Sequence, residues 1–521
     1  MVVFLPLLIV ILLGFSAGRL LGEEGQQPGP VLARFEAVVD LGKDQGQRFG
    51  SIFEARTGNG RVVAGAGFME VYNTRFRVGR HMLQFFVRPL KNEDQFTLQR
   101  LPHPDLDCGV YMFDLDEKLY AWSSVQNNSL RRWDEPSKRW LNQLPHQTVR
   151  LRSGETVMRL GKGLLTMANN KVSYNDRMIL GPPTRGNYYN FYYAGGWLCF
   201  YHRLTANSDA FTKIYACPWT PEKDGPVELS RAVVMDTKYV GETPFAWGQF
   251  QETVLTVSNQ GGVYAFDGMT WKTLLEADNT VSYQVYSMLN YYDRLLLAQY
   301  PTGYLFEFMG QELKLLKGWP PRLPGVSPRA REAQTLSIYR GDLLVGVWPW
   351  AELWRYNHQA KKWHSMGRMF THPEVTDKRV HPYEAAANKY GLVTNHWGQR
   401  VTGMVPFGDS LMLSTSSKGT SRWYDKYDFL TEGQRREYGA VLQLKMPGNL
   451  AAQIEWKDRP SRFEFILTRD KMIIRQDGQQ LASTPLQLTD QGEKNALEHI
   501  HTTWGQGVFG QFNGKSLKHS H

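Results

Sequence analysis

A sevenfold repetition constrains this chain more than any other feature. A short polar turn runs into an apolar strand at DEKLYAWSS (116–124), GKGLLTMA (161–168), AGGWLCFY (194–201) and FQETVLTVS (250–258). The form returns at YYDRLLLAQ (291–299), YRGDLLVGV (339–347) and FGDSLMLST (407–415). Glu117 and Asp342, taken as equivalent, lie 225 residues apart over five steps, a period of 45. Most copies lead into a second pattern, in which an aromatic strand, a turn and another short strand follow: SLRRWDEPSKRWLNQ (129–143), GGVYAFDGMTWKTLL (261–275), GYLFEFMGQELKLL (303–316) and AELWRYNHQAKKWHSMG (351–367), with KVSYNDRMIL (171–180) as a shorter version. Each unit reads as four antiparallel strands joined by tight hairpins. Such a unit cannot bury both faces alone and must stack on neighbours. The expectation is an all-β chain with a seven-bladed β-propeller over 105–447.

Composition agrees with that class. The chain is 42% hydrophobic, 13% aromatic and 21% charged, with 48 Gly and 26 Pro, a balance that suits turn-rich sheets. Sixty basic against 50 acidic side chains leave a net charge of +10. No dense Lys/Arg run accompanies it, so nucleic acid is not an expected partner.

The spacing of Trp133 and Trp140, Phe266 and Trp271, and Tyr356 and Trp363 around polar turns resembles kelch-type repeats and galactose-oxidase-type propellers. That resemblance implies a secreted propeller. The thioether-linked Cys–Tyr pair and His ligands of the copper enzyme have no counterpart here, so neither metal nor cofactor is expected.

The flanks differ from the repeat. Residues 33–100 hold strand-like runs (GSIFEAR, RVVAGAG, LQFFVRP) that form an extra sheet or supply a strand to close the ring. Residues 448–521 alternate as strands do around a DG turn and resemble a laminin-G or concanavalin-like sandwich. The segment 1–22, apolar from Val2 to about Phe15 and then small at Ser16, Ala17 and Gly18, reads as a signal peptide. It is short for a membrane span, which needs roughly 20 residues. A secreted or periplasmic location follows, and a membrane association only if this segment is retained as an anchor.

Of the cysteines Cys108, Cys199 and Cys217, the last two fall on neighbouring strands of one blade and are a candidate disulfide, with buried free thiols as the alternative. Asn127-Asn128-Ser129 is a glycosylation sequon. FGDSL (407–411) matches the nucleophile block of GDSL esterases, but no DxxH follows Ser410, and the same repeat position carries RGDLL and YDRLL. That position, Arg340-Gly341-Asp342 included, is turn chemistry. GNGRVV (58–63) lacks the third glycine of a dinucleotide site.

Function is sought in the loops that lead into the innermost strands, which gather around one end of a propeller channel: 102–107, 181–189, 236–247, 318–332 and the long 371–400. They bring Arg185, Tyr188, Trp247, Arg322, Arg329, Arg331, His372, Arg379, His381, His396 and Arg400. Guanidinium forks beside aromatic faces suit an anionic ligand. The three histidines, with Glu374, Asp377 and Glu384, could gather into an acid–base or metal site, although their spacing matches no metal motif. The longest loop should hold a short helix, with Pro382 at its first turn and Gly391 at its C-terminal cap. The reading is an exported, non-catalytic propeller that binds an anionic polysaccharide or a protein on its loop-rich face. The alternative is a carbohydrate-active hydrolase or lyase at the channel mouth; no catalytic residue is assigned.

Overall fold

A computed structural model of the chain describes residues 30–40, 50–69, 71–73, 76–77, 81–88, 94–106, 109–123, 129–143, 156–206, 208–221, 225–280, 284–419, 422–486, 497, 499–511 and 517–520. The apolar segment 1–22 read above as a signal peptide, Cys108 and the sequon asparagine lie outside them.

Seven antiparallel four-strand units follow one another at 111–141, 156–180, 187–236, 244–275, 284–316, 332–368 and 399–445, each meandering from an innermost to an outermost strand. They are blades 1 to 7. Blade 7 takes its outermost strand from the other end of the repeat, because Thr97–Arg100 pairs with Val441–Lys445 and so closes the ring. Burial grades outward as the stacking requires. In blade 6 the inner strands Glu332–Tyr339 and Asp342–Trp348 are buried throughout, whereas the outermost, Lys362–Arg368, is mostly half-exposed. The aromatic pairs that mark the repeat are direct cross-strand neighbours of the third and fourth strands: Trp133 opposite Trp140, Phe266 opposite Trp271 and Tyr356 opposite Trp363. Their ring centroids lie 5.0–5.1 Å apart, within the range where such pairs attract.

The hairpins between first and second strands need positive φ at their tips, which explains their residues. Asp116 and Glu117, Gly195 and Gly196, and Arg340 and Gly341 supply it. Hydroxyls on the innermost strands tie blade to blade. Ser287 Oγ donates to Gln334 O (2.9 Å), Thr335 Oγ1 to Val401 O (2.5 Å) and Thr402 Oγ1 to Val110 O (2.6 Å), linking blades 5, 6, 7 and 1 in turn.

The flanks are not two separate units. Residues from both ends of the chain make one two-sheet sandwich. One sheet sets Val31–Val39 between Ser461–Thr468 and Leu517–Ser520; the other sets Ser51–Thr57 beside Ile500–Trp504 and Met82–Val87 beside Asn449–Gln453. Phe35 stacks on Phe53 at 4.2 Å, and Phe465 from the C-terminal segment packs on both Phe53 and Phe85. The expectation of a sandwich within 448–521 alone is therefore corrected, since its core is completed by residues 33–87.

This sandwich sits against the hairpin tips at the base of the propeller: Tyr292 N donates to Val508 O, Arg340 N to Asn449 Oδ1 and Ala451 N to Gly408 O. From it a hairpin enters the channel. Val71–Asn73 pairs antiparallel with the innermost strand of blade 5, and Phe76–Arg77 parallel with that of blade 2. Backbone thus bridges the ring from one side to the other, and the channel is blocked from below.

The Cys199–Cys217 disulfide does not form. Cys199 lies opposite Ala216, and Cys217 opposite Leu198. Offset by one residue, the two side chains leave opposite faces of the sheet. Both are buried free thiols, with titration pushed up by burial, to about 12 for Cys217.

Candidate functional site

Opposite the covered base lies the other end of the channel. It is ringed by the first residues of the innermost strands, and a local irregularity shapes it. In blades 3 to 7 the ladder between first and second strands slips at the same place, near Asn190, Phe245, Tyr286, Gln334 and Thr402. Such a bulge takes one residue out of the pairing and re-aims its side chain. Phe245 and Tyr286, bulge residues of adjacent blades, meet at 5.1 Å.

Around Tyr286 stands a compact charged group. Glu332 opens the innermost strand of blade 6 and is fully buried; Arg400 is the second residue of the innermost strand of blade 7, and Lys418 follows that blade's second strand. Arg400 Nη2 is 3.7 Å from Glu332 Oε1, and Lys418 Nζ is 3.8 Å from Oε2. Both separations exceed hydrogen-bond length, and neither carboxylate oxygen has a hydrogen-bond partner among the described residues. The Lys418 ammonium lies 5.0 Å from the Trp348 ring and 6.0 Å from the Tyr286 ring, which Arg400 also faces at 5.8 Å. Of the three charged side chains Lys418 is the accessible one, 27% exposed against 9% for Arg400 and 1% for Glu332. Burial lowers the Lys418 pKa; Glu332 opposes that shift and Arg400 adds to it. The Tyr286 phenol is held well above its usual range, by burial first and then by the Glu332 charge. Two cations against one carboxylate leave a net positive mouth, walled by Tyr286, Trp348 and, at 4.9 Å from Trp348, His381. Gly398 is required here, because a Cβ would fall 2.3 Å from Trp348 Nε1.

Among the sequence candidates, the structure brings Arg400 and His381 to this mouth. Burial depresses the His381 pKa, with Glu384 opposing and Lys418 adding to the shift. Arg185, Arg322, Arg329 and Arg379 are exposed, Arg185 in an ion pair with Asp209. The others are internal. Tyr188 packs on Phe200 and His202, and Trp247 on Tyr192 and Tyr201. Arg331 is buried on Glu352 and donates to Pro321 O, fastening the 318–331 loop. His372 is held by the Tyr383 hydroxyl (2.5 Å), Gln434 O and Glu437, and His396 is buried beside Trp397. No metal-like group of three His, Cys, Asp or Glu occurs among the described residues. The 371–400 loop does carry its helix, Glu384–Lys389, with Gly391 at φ +68° after it, but Pro382 precedes the N-cap Tyr383 and is not in the first turn. Ser410 is buried in a hairpin, bonded to Asp409 and Gln443.

Sequence reasoning missed Tyr286, Glu332, Trp348 and Lys418. One signal was available, since Glu332 is an ionisable residue at the head of a strand otherwise suited to full burial, EAQTLSIY.

No family model and no curated protein sequence matches the chain. Solved structures with a similar fold include YCF48 bound to a D1 peptide, at 12% identity over 67% of this chain and 97% of that one, with a TM-score of 0.37. The WD40 β-propeller domain of Doa1 aligns at 10% identity over 67% and 97%, also with 0.37. BamB from Moraxella catarrhalis aligns at 11% over 72% and 91%, with 0.31. Its seven four-stranded blades make this chain a β-propeller.

Proposed function

We propose that the chain is an exported, non-catalytic binding protein that takes a carboxylate-bearing ligand, a polysaccharide or a protein, at the mouth of its channel. One observation carries the reading: Lys418 and Arg400 share a single carboxylate at distances too long for hydrogen bonds, beside aromatic faces at the channel end opposite the sandwich. An incoming anion would satisfy donors that Glu332 only approaches, and charge-assisted bonds to it would be among the strong ones. Glycoside hydrolysis uses two carboxyls about 5–10 Å apart. The charged groups facing Glu332 at the mouth are cations, which favours binding over the hydrolase reading. Export rests on the apolar segment 2–15 alone, and kinship with kelch-type propellers rests on the cross-strand aromatic pairs.

The test is a binding screen of the purified protein against uronic-acid oligosaccharides and acidic peptides, with Lys418→Gln, Arg322→Ala and Arg379→Ala in parallel. Lys418→Gln should weaken the selected ligand at least tenfold, with the two rim arginines contributing less. Equal binding by Lys418→Gln and the parent protein would remove the mouth from the proposal.

A further inference from the structure

A second concave surface lies at the base of the propeller. The turn 57–61 of the sandwich and the turn 357–361 of blade 6 enclose a cleft of about 560 Å³, lined by Arg56, Asn59, Arg61, Asn357, His358 and Lys361 among others. Gln359 Nε2 donates to Val62 O at 2.9 Å and holds the two walls together. The lining carries three permanent cations and a histidine, and no carboxylate. Glu54, which pairs with Arg56 at 2.6 Å, is itself buried and outside the lining.

The backbone of both turns is already engaged. Gly60 N donates to Thr57 O, Arg61 N to Asn59 Oδ1, Gln359 N and Ala360 N to Asn357 Oδ1, and Lys361 N to His358 O. A ligand here would meet side-chain donors on a fixed frame. His358 stacks on Tyr292 at 3.7 Å, with Tyr291 and Tyr356 at 6.0 and 6.3 Å.

We propose that this cleft binds a tetrahedral oxyanion, a phosphate or sulfate group, through Arg56, Arg61, Lys361 and the His358 ring. Three cations converging on a concave surface without a lining carboxylate suit a multiply charged, multi-acceptor anion. The electrostatics of His358 agree. Burial first, then Arg294, Arg56, Arg88 and Lys361, push its pKa down to about 4. Arg294 is paired with Glu307, Arg88 with Asp342 and Arg56 with Glu54, so the cleft's own Lys361 is the contributor an oxyanion would offset. Its arrival should let His358 take up a proton.

The test follows the His358 ring resonance by NMR, assigned with His358→Gln, during pH titrations at matched ionic strength in chloride, sulfate and phosphate. The His358 midpoint should rise by at least one pH unit in sulfate or phosphate over chloride. Arg61→Gln/Lys361→Asn should abolish the difference, and the mouth variant Lys418→Gln should retain it. A rise in phosphate alone, or in sulfate alone, names the preferred oxyanion. Identical midpoints in all three salts, or a rise that survives the double substitution, would overturn the proposal.

Discussion

Asp342 offers the sharpest test of how the two parts of the molecule are joined. It ends the Arg340-Gly341-Asp342 turn of blade 6, and its carboxylate accepts from Arg88 of the sandwich. Arg355 and Arg340 lie 3.7 and 3.8 Å from its second oxygen. All four side chains are at most 2% exposed, so three guanidiniums share this carboxylate out of water. Asp342→Asn keeps the volume and removes the charge. Arg355 keeps Asp94, but the carboxylate charge that Arg88, Arg340 and Arg355 share at the junction is lost. Unpairing a buried ion costs about 3–5 kcal/mol. Asp409→Asn is the control on the corresponding hairpin tip of blade 7, where Asp409 pairs with Lys445 at 3.2 Å with both side chains over a third exposed. It should cost at most about 1 kcal/mol. Equilibrium urea denaturation reads both. With an m-value of about 3 kcal/mol/M, Asp342→Asn should lower the midpoint by roughly 1 M or somewhat more, and Asp409→Asn by about 0.3 M or less. Equal midpoints for the two variants would refute the buried junction.

Other perturbations test other parts of the structure. Glu352→Gln should unfasten Arg331 and cost about 3–5 kcal/mol; trypsin should then cut the 318–331 loop at Arg322 or Arg329 faster than in the parent, and unchanged cleavage would count against the tie. Because His358 titrates at about 4 when folded against about 6.5 unfolded, the unfolded chain binds the extra proton between those values, and stability should fall as pH drops through that window. His358→Gln should flatten that part of the profile, whereas parallel curves would show that His358 titrates normally. Cys199 and Cys217 should resist alkylation in the folded protein and both react after denaturation without reductant; recovery of either as a disulfide would contradict the register of blade 3.

The propeller was legible because its information is local. Hairpin tips such as Arg340-Gly341, strands of apolar residues and cross-strand pairs such as Tyr356 with Trp363 all lie within one 45-residue repeat. The sandwich was not legible, because strand pattern names a strand but not its partner. Val31–Val39 is paired with Ser461–Thr468, more than 400 residues away. The same limit hid the channel hairpin, whose short strands Val71–Asn73 and Phe76–Arg77 gain their meaning only from blades 5 and 2. Cys199 and Cys217 failed as a pair for a finer reason. Adjacent strands were the right expectation, but a one-residue register step separates a bridge from two thiols on opposite faces.

Candidate residues divided along the same line. Long loops hold most of the candidates, yet Arg331 and His372 are spent on fastening loops and His396 is buried beside Trp397. A solvent-side excursion of this length needs such internal ties, since every buried polar group in it must find a partner. The residues left with incompletely satisfied charge are instead at the ends of inner strands: Glu332 and Arg400 open first strands and Lys418 follows a second one, beside the bulge residue Tyr286. Glu332 could not be exchanged for an apolar residue without leaving Arg400 and Lys418 as a bare cationic pair, nor does it satisfy them fully at 3.7 and 3.8 Å. A strand core built only for stability would carry neither cost. That partial satisfaction separates the mouth from the Arg331–Glu352 junction, where both carboxylate oxygens accept hydrogen bonds, and makes it a place in the ring where a ligand has something to add.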